Sequence, residues 1–475
     1  MVYSYFDLNK SEYKINQYKY HQFARNRILV TTKHGGWVVL DEEEFEMLKR
    51  NKIKEDLILF KSLEENGIIL TNRNLERTVS RQRERLSHLF NGVSLHIITT
   101  TLRCNQICSY CHAKAKDIKE KKYDMDERTA KDVVDFIFES PSPEIGIEFQ
   151  GGEPLANFPI IQYIIEYSKE KSKETRKNVK YMLVSNLTMM DESILKYLIK
   201  NNVSLCTSFD GPKEVHNKNR RYINGSGTYE DVVYWIDKIK NEYKYPLGAL
   251  PTITKFSLSY GKEIVDEYVK RGFESVRIRH MVNAGFASER WSQLGYSAEE
   301  FLDFWKSSLD YIIKLNQEGT NIVEGVSLII LKNILSSKHQ PYTCFSSPCG
   351  AALTQLAYDY NGDIFTCDEA RSFEIFKLGN VKESSYENIM TSPATLNITG
   401  LTSGLSSMCD NCVWHPYCGN CLVSSYGQHK TIIPKLPVNR ECKIRGGMVR
   451  HIFDILTGSG KKNILMKWYN TTEKI

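Results

Sequence analysis

The stretch CNQICSYC, residues 104–111, places three cysteines within eight residues. Soft thiolates suit zinc, copper(I) and iron–sulfur clusters. A single zinc ion needs a fourth ligand, and His112 abuts Cys111 so closely that both side chains reach one ion only awkwardly. The spacing therefore favours a four-iron cluster on Cys104, Cys108 and Cys111, with one iron open to a small molecule, over a zinc site completed by a remote residue.

The composition predicts an ordinary soluble protein with more than one domain. The chain has 475 residues, of which 41% are hydrophobic and 25% charged. We find no apolar run of about 18 residues, and the N-terminal MVYSYFDLNK lacks the apolar segment of a signal peptide. We therefore expect a cytoplasmic protein without a membrane span. A net charge of +6 is weak evidence for a nucleic-acid partner, and none is expected.

The cysteines are grouped along the chain. Eleven of the 12 fall in two regions, residues 104–111 and 344–442. In a cytosolic chain this grouping favours metal or redox roles over disulfides. The remaining one, Cys206, lies in the apolar stretch VSLCTSF and is expected to be a buried packing residue.

Residues 1–75 form the first predicted domain. NRILVTT and GGWVVL flank a Gly-Gly turn, which indicates a hairpin. A helix with an aspartate cap, a second helix and a closing apolar strand follow, and the set resembles a winged-helix module. Residues 76–91 are predicted to be a polar helical linker.

Residues 92–295 alternate predicted strands with predicted helices, and this pattern indicates an α/β fold, a partial (β/α)6 TIM-like barrel. The predicted strands cover residues 93–100, 145–150, 179–186, 203–210, 247–254 and 275–280. Polar or glycine-rich residues follow each of them. Because chemistry in such folds is found at the carboxyl ends of the strands, we expect a single active site there.

Residues 296–343 are predicted to be a helical bridge and residues 344–475 a cysteine-rich domain. The bridge opens with Ser297 and has Glu300 three residues later, a capping-box pattern. Within the cysteine-rich domain, Asn361-Gly362 separates two short apolar segments and predicts a hairpin.

The C-x3-C-x2-C loop after the first strand resembles the motif of the radical S-adenosylmethionine (SAM) superfamily, and the resemblance covers about residues 93–285. It implies that SAM chelates the open iron of a [4Fe–4S] cluster. It further implies that reductive cleavage of SAM gives a 5′-deoxyadenosyl radical, which abstracts hydrogen from the substrate. The protein then orients the radical toward the substrate and excludes water from the site.

The same resemblance implies contacts to SAM. Gly151 and Gly152 let the backbone approach the ligand, Glu153 takes the methionyl ammonium, and Gln150 lies beside it. The remaining contacts are Ser185 and Asn186 for ribose or carboxylate, Ser208 and Asp210 for ribose, Arg220 for the carboxylate, and Tyr110 and His112 at the adenine. For Asp210-Gly211-Pro212, a plain turn is the alternative.

The second cysteine region resembles a SPASM domain, an auxiliary-cluster module, with a final spacing of x2 where x3 is usual. The resemblance implies two auxiliary [4Fe–4S] clusters, one on Cys344, Cys349, Cys367 and Cys421 and the other on Cys409, Cys412, Cys418 and Cys442. Two zinc knuckles are the alternative. Asp368 matches an aspartate that serves as a base in related sulfatase maturases; otherwise it simply ends a hairpin.

Longer stretches, among them IEFQGGEPLANF, TSFDGPKEVHNKNR and HMVNAGFA, resemble the B-type radical SAM maturases of His-Xaa-Ser peptide systems. The resemblance implies a ribosomally made peptide or small protein as substrate and a second radical SAM maturase as a further partner. An electron donor such as a flavodoxin or ferredoxin is also implied. The first domain then binds a leader peptide by strand addition, or merely packs on the barrel. Thioether crosslinking, formylglycine formation and a non-enzymatic zinc protein remain alternatives.

Overall fold

The structure is a computed structural model that describes residues 12–24, 26–338, 343–402, 407–435, 437–458 and 460–472. The N-terminal segment MVYSYFDLNK, for which no signal peptide is expected, lies outside these residues. Within them, no helix has the length and apolar character needed to cross a bilayer.

The N-terminal module contains a three-stranded antiparallel sheet. Its strands are β1 Lys14–Ile15, β2 Tyr18–Ala24, β3 Arg27–Thr32, β4 Trp37–Leu40 and β5 Ile69–Leu70, and its helices are α1 Glu42–Lys49, α2 Leu57–Glu65 and α3 Leu75–Leu86. The sheet has the order β2-β3-β4, and β1 pairs with β5. The predicted hairpin is β3-β4, and the predicted aspartate cap is Asp41, which forms a capping box with Glu44. The hairpin prediction omitted β2, the outer strand.

Both faces of this small sheet are covered. Ile28 and Val30 pack into the module's own core with Phe45 of α1. The residues that alternate with these along β3 face the rest of the molecule, and Leu29 among them belongs to the main core. This period of two is the pattern of a strand buried on both sides.

The central sheet orders its parallel strands as they occur in the chain. Strands β6 Leu95–Thr101, β7 Arg103–Cys104, β8 Lys116–Asp117, β9 Glu144–Gly151, β10 Asn178–Ser185, β11 Ser204–Ser208, β12 Leu247–Leu250, β13 Thr252–Ile253, β14 Ser275–Val276 and β15 Arg279–His280 make up this region. The sheet runs β12-β11-β10-β9-β6, all in parallel pairs. The fifth predicted strand breaks into β12 and β13, and β13 pairs with β15 of the sixth.

Helices follow these strands and cover the sheet. They are α4 Glu127–Phe138, α5 Phe158–Thr175, α6 Glu192–Lys200, α7 Lys213–Asn219, α8 Tyr229–Asp237 and α9 Gly261–Lys270. Aspartate caps start two of them, with Asp126 accepting from the N–H of Thr129 and Asp191 from the N–H of Ile194. The protein therefore has a mixed α/β fold.

The C-terminal region extends the central sheet instead of forming a separate body. Its elements are α10 Gly285–Glu289, α11 Trp291–Leu294, α12 Ala298–Gln317, β16 Val323–Glu324, α13 Gly325–Leu335, β17 Gln355–Tyr358, β18 Asp363–Phe365, β19 Lys377–Asn380, α14 Tyr386–Met390, α15 Pro393–Thr402, α16 Ser407–Asp410, α17 Leu422–His429, α18 Arg440–Thr457 and α19 Lys462–Thr472. Strand β17 pairs in parallel with β6. The β17-β18 hairpin turns at Gly362, which has φ +90°, and Ser297 with Glu300 forms a capping box on α12. The sequence predicted both of these features, but not the joining of the two regions into one eight-stranded sheet.

Candidate active site

A cavity of about 530 Å³ lies between the cysteine loop, the ends of the central strands and the cysteine-rich domain. Its lining includes most of the predicted site residues: Cys104, Cys108, Tyr110, Cys111, His112, Gln150, Gly151, Gly152, Glu153, Asn186, Ser208, Arg220, Cys344 and Asp368. The chain thus brings residues from four strand ends and both cysteine regions to one cavity. Ser185 and Asp210, which were also predicted, lie behind this lining.

The start of the cysteine loop is fixed by the glycine-rich strand end. The N–H of Gly152 donates to the carbonyl of Thr101 at 2.9 Å, and the N–H of Glu153 donates to that of Arg103 at 2.7 Å. A Cβ on Gly151, whose φ is +143°, would lie 2.2 Å from the Thr101 oxygen, and one on Gly152 would lie 2.3 Å from the Arg103 oxygen. These glycines are therefore required by packing of protein on protein, a reason that the sequence analysis did not give.

The far end of the loop is held by the stretch HMVNAGFA. The N–H of Phe286 donates to the carbonyl of Cys111 at 2.9 Å. A Cβ on Gly285 would lie 2.4 Å from the carbonyl oxygens of both Cys111 and His112. Close backbone contact at both ends thus holds the three cysteines at one wall of the cavity.

Glu153 is almost completely buried, at 1% exposure, and its carboxylate accepts three hydrogen bonds. The donors are the hydroxyl of Ser185 at 2.8 Å, the N–H of Asn186 at 2.8 Å and the N–H of Leu155 at 3.1 Å. Burial raises the pKa of Glu153 to about 7, against the effect of these donors. Ser185 therefore orients Glu153, whereas Asn186 lines the cavity and directs its amide toward Cys104, 3.8 Å from the sulfur.

Asp210 is fully buried and saturated with partners. It accepts from the hydroxyl of Tyr110 at 2.6 Å, the amide of Asn219 at 3.2 Å and the N–H of Thr252 at 2.9 Å. It also lies 3.2 Å from Nε of Arg220. The expected ribose contact of Asp210 does not fit this geometry, because the carboxylate is used within the protein.

Arg220 links Asp210 to the cysteine loop. Its guanidinium lies 5.2 Å from the Tyr110 ring centroid, and its Nη1 is 3.8 Å from the sulfur of Cys108. The nearby Asp210 raises the pKa of Arg220 despite its burial. The arginine is thus a fixed cation at the cavity wall, and Tyr110 is tied down by Asp210 with its ring under that cation.

Asp368 and His112 pair with each other at the wall of the cavity. Its Oδ2 is 3.0 Å from Nε2 of His112, and its Oδ1 accepts from Arg371 at 2.7 Å. Burial alone raises the pKa of Asp368, but the charges of His112 and Arg371 outweigh it and lower the pKa. The carboxylate is held ionised and joins the cysteine-rich domain to the cysteine loop.

Several cavity residues were not singled out from the sequence. Glu148 accepts from the side-chain amide of Gln150, and Arg277 and Glu369 line the same space. For Glu148 the signal was available, since it precedes Gln150 by two residues on β9, which puts both side chains on one face of the strand. Cys206 also lines the cavity, although it was expected to be a packing residue; it lies two residues before Ser208 on β11.

The residues around the three loop cysteines suit an iron–sulfur cluster. All three border one cavity, and burial raises the pKa of the Cys108 thiol to about 12. Among the described residues no three His, Cys, Asp or Glu side chains lie close enough together to hold a single metal ion. The fit therefore rests on the thiol donor set and the adjacent cavity.

Four cysteines, here called the inner set, line a second, smaller cavity next to the first. They are Cys344, Cys349, Cys367 and Cys421. Cys344 borders both cavities. The thiol pKa of Cys367 is raised by burial and by the other three members of this set, so the four sulfurs lie within electrostatic range of one another.

Four further cysteines, here called the outer set, lie within electrostatic range of one another and of Arg445. They are Cys409, Cys412, Cys418 and Cys442. Burial raises the thiol pKa of Cys418, and the other three cysteines of the set raise it further. The guanidinium of Arg445 opposes the shift in both sets.

Comparison with protein families agrees with this division. The radical SAM superfamily matches residues 98–278. The SPASM iron–sulfur cluster-binding domain matches residues 349–422. The fold and the cysteine sets therefore define an iron–sulfur enzyme. More particularly, the chain carries a radical SAM domain followed by a SPASM domain. It binds SAM and a [4Fe–4S] cluster in the first domain and auxiliary iron–sulfur clusters in the second, which removes the zinc alternatives.

Curated relatives are similar over different shares of the chain. An uncharacterized protein of Methanocaldococcus jannaschii is 31% identical over 188 residues, which cover 40% of this chain and 63% of that protein. A cysteine-type anaerobic sulfatase-maturating enzyme of Clostridium perfringens is 24% identical over 339 residues, 69% of this chain and 88% of that enzyme. The radical SAM cyclopropyl synthase TigE of Paramaledivibacter caminithermalis is 23% identical over 427 residues, which cover 82% of this chain and 84% of that synthase.

Two solved structures share the fold. The anSMEcpe enzyme with bound AdoMet and a peptide has a TM-score of 0.66 at 20% identity and covers 80% of this chain and 99% of its own. SuiB of Streptococcus suis bound to precursor peptide SuiA has a TM-score of 0.54 at 14% identity. The match covers 90% of this chain and 99% of the SuiB chain.

Proposed function

We propose that this enzyme modifies a ribosomally made peptide or small protein after translation. The enzyme cleaves SAM reductively, and the resulting 5′-deoxyadenosyl radical abstracts hydrogen from the peptide. Within this class we assign it to the B-type maturases of His-Xaa-Ser systems, on the strength of the sequence stretches quoted above. This assignment carries with it a second radical SAM maturase and a flavodoxin or ferredoxin as partners, all in the cytoplasm.

The observation that carries the proposal is the cavity shared by the cysteine loop and the SPASM domain. It is large enough for SAM together with part of a substrate, and its walls hold charges of both signs. The peptide-bound SuiB structure covers 90% of this chain, whereas the peptide-bound anSMEcpe structure covers 80%. The more extensive match to SuiB, together with the N-terminal module that precedes the barrel, favours a peptide maturase with its own recognition module.

The roles of the cavity residues follow from their chemistry. Cys104, Cys108 and Cys111 hold the SAM-binding cluster. Glu153, oriented by Ser185, accepts the methionyl ammonium, and Asn186 contacts the same part of SAM. Arg220 binds the SAM carboxylate as a bidentate donor.

The remaining predicted contacts border that site. Ser208 contacts the ribose of SAM, and Gln150 contacts the methionyl end beside Glu153. Gly151 and Gly152 let the backbone approach SAM closely. His112 and Tyr110 frame the adenine. Asp210 is a positioning residue that fixes Arg220.

We assign Asp368 to proton transfer or substrate orientation at the SPASM edge of the cavity. Its pairing with His112 and Arg371 supports a role in orientation, because a carboxylate with a lowered pKa is a weak base. The inner set then holds one auxiliary [4Fe–4S] cluster and the outer set the other, each with four thiolates.

The N-terminal module, residues 1–75, is the proposed leader-peptide clasp. Its resemblance to a winged-helix module and its position beside the SPASM domain support this role, and strand addition to an edge of the β2-β3-β4 sheet is the expected mode. Residues 76–91 then serve as linker, residues 92–295 as a partial (β/α)6 barrel, residues 296–343 as bridge and residues 344–475 as SPASM domain.

Co-expression with the small open reading frame next to the gene, followed by mass measurement of the peptide, tests this function. A loss of two hydrogens is expected for a crosslink, and none is expected with a Cys108→Ala enzyme, which cannot release 5′-deoxyadenosine. An unchanged peptide mass with active enzyme would count against peptide modification.

Sulfatase maturation is the competing function, favoured by the similarity to the Clostridium perfringens enzyme. Incubation with a peptide bearing a sulfatase-type cysteine or serine distinguishes the two. Formylglycine formation in that peptide, without change in the neighbouring gene's peptide, would decide for the sulfatase reaction.

A further inference from the structure

The N-terminal sheet packs directly on the segment that carries most of the outer set. The hydroxyl of Thr31 donates to the carbonyl of Val413 at 2.9 Å, in a buried position. The ring of His21 packs on Trp414 with centroids 5.3 Å apart. The hydroxyl of Tyr417 donates to the carbonyl of Gly35 at 3.2 Å. These contacts come from β2, β3 and the turn after β3, so the whole sheet face covers this segment.

Lys19 contacts the backbone of one of the outer cysteines. It shares a face of β2 with His21, and its Nζ is 3.5 Å from the carbonyl oxygen of Cys409. Lys19 is only partly exposed, and burial lowers its pKa, while Asp410, Cys412 and Cys409 oppose that shift. The amino group of Lys19 thus lies in a partly desolvated position next to the backbone of Cys409.

The other charges at this interface are arranged differently. Asp410 pairs with Lys33 at 3.2 Å, with side-chain exposures of 45% and 52%. Solvent screens such a pair, so its effect on a nearby cluster is small. The nearby His415 has its pKa lowered to about 4 by burial and is neutral near pH 7.

We propose that the N-terminal sheet forms one wall of the outer auxiliary cluster's site and that Lys19 raises the reduction potential of that cluster. The inference rests on the proposed assignment of the outer set to one cluster. Reduction adds negative charge to a cluster, and a neighbouring cation stabilises the reduced form. Because the same sheet is the proposed leader-peptide clasp, the cluster and the peptide site share a wall.

The test compares Lys19→Met with wild type in a background that lacks the SAM-binding cluster, Cys104→Ala with Cys108→Ala and Cys111→Ala. Only the auxiliary clusters then contribute to a redox titration followed by electron paramagnetic resonance. One of the two midpoint potentials is expected to become more negative by about 59 mV, a tenfold change in the reduced-to-oxidised ratio for one electron. Lys19→Arg is expected to keep the wild-type potential.

Lys49→Met is the matched control, since Lys49 lies on α1 and pairs with Glu46 away from the interface. It is expected to leave both potentials unchanged. If Lys19→Met does not take up its full iron, Lys19→Gln, which keeps a donor for the Cys409 carbonyl, is titrated and the same shift is expected.

Unchanged potentials in a fully loaded Lys19 variant would overturn the inference. The ligand assignment is checked separately, because Cys409→Ala should lower the iron content by about four per chain. Retention of that iron would contradict the assignment of the outer set, whatever the Lys19 variants show.

Discussion

At the residue scale, backbone hydrogen bonds hold the loop of Cys104, Cys108 and Cys111, which we propose carries the SAM-binding cluster. The residues that follow β9 hydrogen-bond through their backbone to the residues just before Cys104, and glycine is needed where the two backbones meet. A side chain added at these glycines would displace the cysteines relative to one another. We therefore expect such a substitution to lower the iron content before it destabilises the fold.

Gly151→Ala is therefore expected to remove the SAM-binding cluster while leaving the auxiliary clusters. The added Cβ would lie 2.2 Å from a backbone oxygen, at a φ of +143° that alanine rarely adopts. We expect iron to fall from about twelve to about eight per chain and 5′-deoxyadenosine release to cease. Gly400→Ala, where a Cβ meets nothing within 4 Å, serves as the control. Full iron in Gly151→Ala would show that the loop tolerates displacement.

Asp210→Ala is expected to weaken SAM binding without touching SAM directly. Asp210 holds Arg220 and the hydroxyl of Tyr110 in place. Its removal leaves a buried guanidinium without its carboxylate partner. We expect the dissociation constant for SAM to rise at least tenfold, about 1.4 kcal/mol. Calorimetric titration on the reconstituted protein measures it, with Lys213→Ala, an exposed neighbour at 61% exposure, as the reference. Equal affinities would place Arg220 outside the SAM site.

At the element scale, the pairing of β17 with β6 joins the SPASM domain to the central sheet. His96 on β6 is completely buried, and its Nδ1 accepts from the hydroxyl of Tyr358 on β17 at 2.8 Å. The two rings are stacked with centroids 5.8 Å apart. Nε2 of His96 lies 3.2 Å from the carbonyl of Val93. Both ring nitrogens of this neutral imidazole are hydrogen-bonded, and the contact to Tyr358 reinforces the pairing of β17 with β6.

Acid is expected to weaken this junction. Burial lowers the pKa of His96 to about 3, whereas an unfolded histidine titrates near 6.5. Below about pH 6.5 the unfolded state binds the additional proton, so the free energy of unfolding falls as pH decreases. From pH 7 to pH 5 the loss is about 2 kcal/mol for this group, at about 1.4 kcal/mol per pH unit.

The measurement compares wild type with His96→Asn, which keeps an acceptor for Tyr358, by denaturant unfolding at both pH values. Other titrating groups are common to both proteins and cancel in the difference. The stability advantage of wild type should shrink by about 2 kcal/mol on going from pH 7 to pH 5. A constant advantage would mean that His96 titrates with the same pKa in the folded and the unfolded protein.

The same junction illustrates what sequence patterns can predict here. Local signals predicted the hairpin at Asn361-Gly362 and the capped helix at Ser297 correctly, because turn and cap chemistry depends on adjacent residues. Most of the cavity residues were also predicted to lie together, because each follows a predicted strand and the carboxyl ends of parallel strands meet at one edge of the sheet. The pairing of β17 with β6 joins residues more than 250 positions apart, and no local pattern encodes it. The partners of Asp210 likewise come from residues 9 to 100 positions away in the sequence, and the local pattern did not predict them.

At the scale of the whole molecule, Arg445 is the common element of both auxiliary sites. It is 4% exposed, pairs with Glu441, and donates to the carbonyl of Gly419 at 3.0 Å and to the carbonyl of Cys344. Glu441 in turn is 2.7 Å from Nε2 of His280, at the end of the sixth strand. One buried chain of polar contacts thus runs from His280 at the active-site cavity through Glu441 and Arg445 to Gly419, next to Cys418 of the outer set.

Arg445→Met is therefore expected to empty both auxiliary sites at once. Methionine fills similar volume but leaves Glu441 short of its cationic partner and frees two carbonyls beside cluster ligands. Breaking a buried pair in this way costs about 3–5 kcal/mol. We expect iron to fall from about twelve to about four per chain, with the SAM-binding cluster retained and still able to release 5′-deoxyadenosine. Arg450→Met, five residues further along α18, is the control. Loss of only one auxiliary cluster would show that the two sites are assembled independently, because the inner and outer sets would then not share this arginine as a structural support.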